Sequence, residues 1–422
     1  MKLIHTLSLL ATAALLAACK PATESSEPVA ASSEAEVVTP VELPIRYSVI
    51  ELSAIDSPGA LTALCESENA TMREHMDTLE AHEGKATVDT YYKSLDSLTT
   101  SLSNMNVAAT SLAGVHPDGE LRTAGENCAQ LLSEIGTDLG LSRPIYEALS
   151  ALDINNEDAA TRHSVEKALL GFRLSGVDKD EATRQRIREL NTELVNIGQT
   201  FDRNIREDVR TMELDSVEDL AGLPQDYIDA HPPGEDGKIR ITTQYPDLFP
   251  FITYSESDDL RKELLTMYGN RAYPDNKDML EQIMAKRYEL AQLIGFDNHA
   301  ELVTADKMVG SPERVESFLE ELKQYTAEAN DRDYGILLKR LRQDQPDAER
   351  VESWQSGYIA EKVRTEDFQV DSKEIREYFN YNNTRDGILT MVQDLFQVQI
   401  RPWQTETWQE DVEAYELLDG ER

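Results

Sequence analysis

From Asp180 to about Arg210, the residues Ile187, Leu190, Leu194, Ile197, Phe201 and Ile205 recur at three- and four-residue steps. No other feature constrains the fold of this chain so strongly, because that period puts all six side chains on one face of a long helix. Such a helix must lie lengthwise against neighbours to bury its stripe. Helical punctuation recurs elsewhere. Ser57-Pro58 places a cap before a proline at the first helical position, and His116-Pro117-Asp118 ends one helix and caps another. Ser311-Pro312 opens a further helix with Val315, Phe318, Leu319 and Leu322 on one side. Strand signals are few. "GKIRITTQYP" alternates Ile239 and Ile241 with polar residues, and further strands are expected around Val398–Arg401 and Val412–Leu417. Trp408, Val412, Tyr415 and Leu417 read as part of a folded unit, and Asp419-Gly420 reads as a turn leaving the last strand. The expectation is a mainly α-helical, elongated bundle with small β insertions and no internal repeat.

The first nineteen residues read as a targeting device. "MKLIHTLSLLATAALLAAC" sets a cation at Lys2 before a mostly apolar stretch from Leu7 to Leu16, then closes on small residues before Cys19. That stretch is too short to span a bilayer stably. Leu16-Ala17-Ala18-Cys19 resembles a bacterial lipobox, which predicts lipidation at Cys19. Lys20 after the cysteine points to the outer membrane of a Gram-negative bacterium, facing the periplasm. Residues 20–45, rich in Pro, Ser, Ala and Glu, read as a disordered linker that buries too little apolar surface to offset its ordering entropy. The folded body is then expected over 46–422. Over all 422 residues the acidic side chains outnumber the basic ones 79 to 41, for a net charge of −38. A surface this negative repels nucleic acid and anionic headgroups, leaving the lipid anchor as the expected membrane contact.

Cys65 and Cys128 remain after Cys19. Leu61, Cys65, Met72, Met76 and Leu79 share one helical face, as do Leu121, Ala124, Cys128, Leu131, Ile135 and Leu139. Both thiols therefore point inward, and an even pair in an oxidising compartment predicts a disulfide, with two buried free thiols as the alternative. Catalytic signatures are missing from the sequence: there is no phosphate loop, dinucleotide fingerprint or nucleophile elbow. A helical zinc site needs two histidines four residues apart with a glutamate beside the first. "HEGKA" begins correctly at His82-Glu83 and fails at Ala86. His75 and His82, two turns apart, are too distant to chelate and read as a solvated helix face. No catalytic residue and no metal ligand is assigned.

The stretch "GVDKDEATRQRIRELNTELVNIGQTFDRNI" (Gly176–Ile205) resembles the long helical region of the thimet oligopeptidase family. These are the M3 zinc metallopeptidases, which include oligopeptidase A and peptidyl-dipeptidase. The resemblance continues in the family's order through "LAGLPQDYI", "DLFPFITYSESDDLRKELLTMYGNRA", "LIGFDNHAELVTADKMVGSPERVESFLEELK" and "EIREYFNY" to "TWQEDVEAYELLD". It departs at Gln409, where a histidine is typical, and at Gln355, where an aspartate is common. The resemblance implies an M3-type helical fold enclosing a narrow channel for short peptides. It also implies a zinc cofactor in the complete enzyme, lowering the pKa of bound water beside a glutamate base. In the family that zinc helix follows the segment resembling "TWQEDVEAYELLD", so its ligands are expected beyond Arg422. The expected chain is thus the N-terminal portion of a periplasmic oligopeptidase, inactive alone. A non-catalytic, lipid-anchored scaffold binding peptides or proteins is the alternative.

Overall fold

The computed structural model describes residues 43–48, 50, 55–405, 407, 409 and 411–420. The lipobox and Cys19 lie outside the described residues, as does Trp408. Ser57 accepts the Ala60 N–H and Pro58 takes the first helical position, starting α1 (Pro58–Glu80). A π-helical turn at Val88–Tyr92 leads into α2 (Lys93–Val115). Asp118 caps α3 (Gly119–Gly140), and α4 (Arg143–Ser150) and α5 (Ala159–Ser175) follow. Gly176, at φ +92°, terminates α5 in a left-handed conformation that a β-carbon would make strained. Asp180 then caps α6 (Glu181–Glu207).

The first core lies among α1 to α5. Leu61, Cys65, Met72, Met76 and Leu79 are all buried on α1. On α3 the buried line runs Leu121, Cys128, Leu132, Ile135 and Leu139. Leu132 replaces the expected Leu131, which is only half-buried, because a four-residue step after Cys128 keeps phase with Ile135. Cys65 and Cys128 are joined by a disulfide across the α1–α3 contact, with Cα atoms 5.7 Å apart. Where α2 crosses α3, Gly125 lets the backbones approach: a β-carbon there would meet the Ala109 carbonyl at 2.7 Å. Leu43 belongs to this core and the Pro44 carbonyl accepts the Ser94 hydroxyl, so these two residues pack on the body instead of continuing the linker.

The stripe on α6 is buried only at Ile187 and Leu190; Leu194, Ile197, Phe201 and Ile205 stay half-buried. Beyond α6, β1 (Thr211–Leu214) precedes a 3-10 turn, α7 (Gln225–Ala230) and β2 (Ile239–Thr242). The strands pair antiparallel, Met212 with Ile241 and Leu214 with Ile239. Those four residues share one face and join Leu220, Leu248, Phe251 and Leu264 in a second core. That core includes α8 (Tyr245–Tyr254) and α9 (Asp258–Gly269). After them come α10 (Asp275–Ile294), packed along α6, and α11 (His299–Thr304). A third small cluster joins Leu141, Ile187, Ala291, Ile294 and Leu302 there.

The rest comprises α12 (Pro312–Asp344), α13 (Ser353–Phe368), α14 (Ser372–Arg376) and α15 (Tyr381–Phe396). It ends in a hairpin of β3 (Gln399–Pro402) and β4 (Tyr415–Leu418), paired Gln399 to Leu418 and Pro402 to Tyr415. Both strands fall within two or three residues of the expected positions. Gly420, at φ +63°, supplies the turn geometry expected of Asp419-Gly420. No helix among the described residues is long and apolar enough to cross a membrane.

Candidate functional surface

The histidines do not converge. His75, read from its spacing as part of a solvated face, is instead buried. Its Nε2 lies 2.8 Å from Ser94 Oγ, and Ser94 in turn donates to the Pro44 carbonyl, so His75 carries its proton on Nε2. Burial is the largest influence and holds its pKa below the ordinary value. The spacing argument failed because residues 43–48 cover that part of α1. His82 lies just past the end of α1, its ring tilted against Tyr91 at 5.4 Å. His231 stacks on Tyr227 and reaches Asp247 at 3.1 Å. Among the described residues, no three His, Cys, Asp or Glu side chains are grouped to hold a metal ion. The donor set among the described residues does not fit a zinc site.

What the described residues do offer is surface. The thirty-three residues of α12 bury only Leu341. Phe318, Leu319, Leu322 and Tyr325 are all exposed, Tyr325 at 86%. None of the sixteen residues of α15 is buried, and Ile388, Met391, Leu395 and Phe396 stand in solvent. Leu280, Met284 and Tyr288 do the same on α10. Single exposed apolar side chains are ordinary, but whole rows of them, as on α10, α12 and α15, are the kind of surface that other protein commonly covers. Covering one such side chain fully contributes roughly 1.5–3 kcal/mol.

Polar ties hold these helices in place while leaving the apolar rows open. Arg340 on α12 grips Glu366 on α13 through two contacts at 2.6 and 2.8 Å. Arg385 on α15 reaches Glu413 beside the hairpin at 2.6 Å. Arg261 on α9 is buried and donates to the carbonyls of Ser255 and Trp354 and to Asp258 at 2.7 Å. Burial pulls that guanidinium down, opposed by the Asp258 carboxylate beside it. Asp258 also accepts Trp354 Nε1 and Gln355 Nε2, each at 3.1 Å. The departure at Gln355 thus has a local consequence: the amide donates to Asp258, which an ionised aspartate could not do. In the sequence, this network's one local signal is the three-residue spacing of Asp258 and Arg261 in "SDDLRKE".

A groove of about 690 Å³ lies among α3, α5, α6, α10 and α11. Leu194, Leu290 and Leu302 supply apolar lining, with Thr137, Asn191 and Lys307 as polar members. It holds no pairing of a base with a nucleophile. Nearby, Glu126 of α3 is buried and paired with Arg203 and Arg206 of α6, the latter at 2.9 Å. Burial acts to raise its pKa, and the two guanidiniums outweigh burial, so its carboxyl sits below the ordinary range.

The sequence model of peptidase family M3 matches residues 251–422, the segment that carries α12, α15 and the hairpin. Oligopeptidase A of Haemophilus influenzae is 29% identical over 327 residues, covering 73% of this chain and 48% of that protein. Oligopeptidase A of Escherichia coli is 26% identical over 402 residues, covering 91% of this chain and 58% of that protein. Saccharolysin of Saccharomyces cerevisiae is 27% identical over 309 residues, covering 69% and 43%. The chain spans about half the length of the curated relatives it matches. Together with the helical architecture, these matches make the chain similar to the M3 oligopeptidases, with residues 251–422 fitting the family's own model.

Proposed function

We propose that this chain supplies the helical scaffold and one channel wall of a zinc-dependent oligopeptidase acting on short peptides, and that it is inactive alone. The observation carrying this reading is the set of uncovered apolar rows on α12 and α15, inside the segment that fits the M3 family. Such rows suit a wall awaiting its facing half, and the matches cover only 48% and 58% of the two oligopeptidase A relatives. Zinc ligands and the general base would then lie outside the described residues. The lipobox at Cys19 and Lys20 supports anchoring to an outer membrane facing the periplasm, where such an enzyme would meet imported peptides. The test is cleavage of a quenched fluorescent oligopeptide by the purified chain, with and without zinc and chelator. No chelator-sensitive cleavage is expected, alongside binding of a hydrophobic dye well above that of an intact relative. Zinc-dependent turnover by the chain alone, or a dye-silent monomer, overturns the reading.

A further inference from the structure

Leu43–Ser48 has no secondary structure of its own, yet its alternate residues are fully partnered by side chains of α2. Ser94 Oγ donates to the Pro44 carbonyl at 2.7 Å, and Ser97 Oγ accepts the Arg46 N–H at 3.3 Å. Ser101 Oγ donates to the Arg46 carbonyl and accepts the Ser48 N–H, both at 2.9 Å. Asn104 Nδ2 donates to the Ser48 carbonyl at 3.0 Å. Proline has no N–H, so every backbone donor and acceptor of residues 44, 46 and 48 is satisfied. The spacing explains the fit. From Ser94 to Asn104 an α-helix rises roughly 15 Å, and four extended residues from Pro44 to Ser48 span roughly 13 Å. A polar row at steps of three and four along α2 thus does the work of a neighbouring β-strand.

The other wall, α1, reads side chains. Glu68, itself buried, accepts Arg46 Nη2 at 2.8 Å and Ser48 Oγ at 2.6 Å. Leu43 enters the core, while Ile45 and Tyr47 point outward at 53% and 52% exposure. The apolar hold on the strap is therefore slight, and its grip is mostly hydrogen bonding.

We propose that α1 and α2 form a binding site for an extended peptide, recognised through its backbone and an Arg-x-Ser pair, and that Leu43–Ser48 occupies this site in cis. A matching peptide enters in trans once the strap is weakened. The site is separate from the apolar rows on α12 and α15, so its fate does not depend on the zinc-peptidase reading.

The probe is a fluorescein-labelled peptide of the sequence ELPIRYSVI (Glu42–Ile50), added to the full chain and followed by anisotropy. The tethered strap competes at high effective concentration, so wild type should bind the peptide weakly. The strap variant R46D/S48P should bind at least ~10-fold more tightly, and adding Glu68→Gln and Ser101→Ala should abolish the gain. Equal binding by wild type and strap variant, or no binding by either, overturns the proposal. A second readout needs no strap variant: trypsin cleavage after Arg46 in the folded wild-type chain. It should be at least ~10-fold slower than in the free peptide, in proportion to the closed fraction, and should accelerate in E68Q/S101A at unchanged helical content. Equal rates in wild type and E68Q/S101A would sink the proposal.

Discussion

Removing the Cys65–Cys128 bridge should destabilise the first core by a calculable amount. The bond closes a loop with a sequence separation of 63 between two buried residues on α1 and α3. The chain-entropy relation for a loop of that size gives about 4 kcal/mol at 25 °C. Native proteins are stable by only about 5–15 kcal/mol, so this is a large share. At roughly 2–4 °C per kcal/mol for a domain of this size, C65A/C128A should melt about 10 °C below wild type. The assay is circular dichroism melting of oxidised protein, with and without a phosphine reductant. Reductant should lower the wild-type transition towards that of C65A/C128A and leave the variant unmoved. Thiol titration of unreduced, unfolded chain provides the check, because neither Cys65 nor Cys128 should react. Reaction of Cys65 and Cys128 in that titration, or a variant melting within about 2 °C of wild type, would refute the reasoning.

Two other perturbations discriminate between packing and charge. Gly125→Ala drives a β-carbon into the Ala109 carbonyl and should cost about 1–3 kcal/mol in urea unfolding. Gly171→Ala on α5, with open space at its β-carbon, should instead be neutral or stabilising by up to about 1 kcal/mol; equal effects would contradict the close crossing of α2 and α3. Burial is the first cause holding the pKa values of His75 and His299 below the ordinary 6.5. The unfolded chain therefore binds protons that the folded chain refuses, so their contribution is complete above pH 6.5 and falls as pH drops below it. Urea midpoints should decline from pH 7 to about 5.5, and H75Q/H299Q should flatten that decline. An unchanged slope in the variant would refute the assignment.

The helical framework was legible because periodicity and capping agree locally. Leu61 to Leu79 and Leu121 to Leu139 announced their buried faces, and Ser57, Asp118, Asp180 and Ser311 all cap helices where their residue types suggest. Strand β2 showed itself by alternation, but its partner β1, "TMEL", is four residues long with charge on one side, too short for a period to register. Burial was less legible than helicity. The stripe on α6 and the row on α12 have the same spacing as the α1 face, yet differ in what lies opposite, which no local pattern records. His75 was misread for the converse reason: a distant extended segment covers it. The polar row Ser94, Ser97, Ser101 and Asn104 was visible in "SLDSLTTSLSN", but its meaning required knowing what it faces. The likeness to the M3 family was legible because motifs recurred in order; the chemistry was not, because no convergent ligand set exists among the described residues.

Metal binding tests the central claim most directly. Purified chain, stripped with chelator, reloaded with zinc and desalted, should retain well under one equivalent by plasma mass spectrometry. Retention of one tightly held zinc ion per chain, surviving extensive dialysis, would contradict an account in which these residues are scaffold and wall.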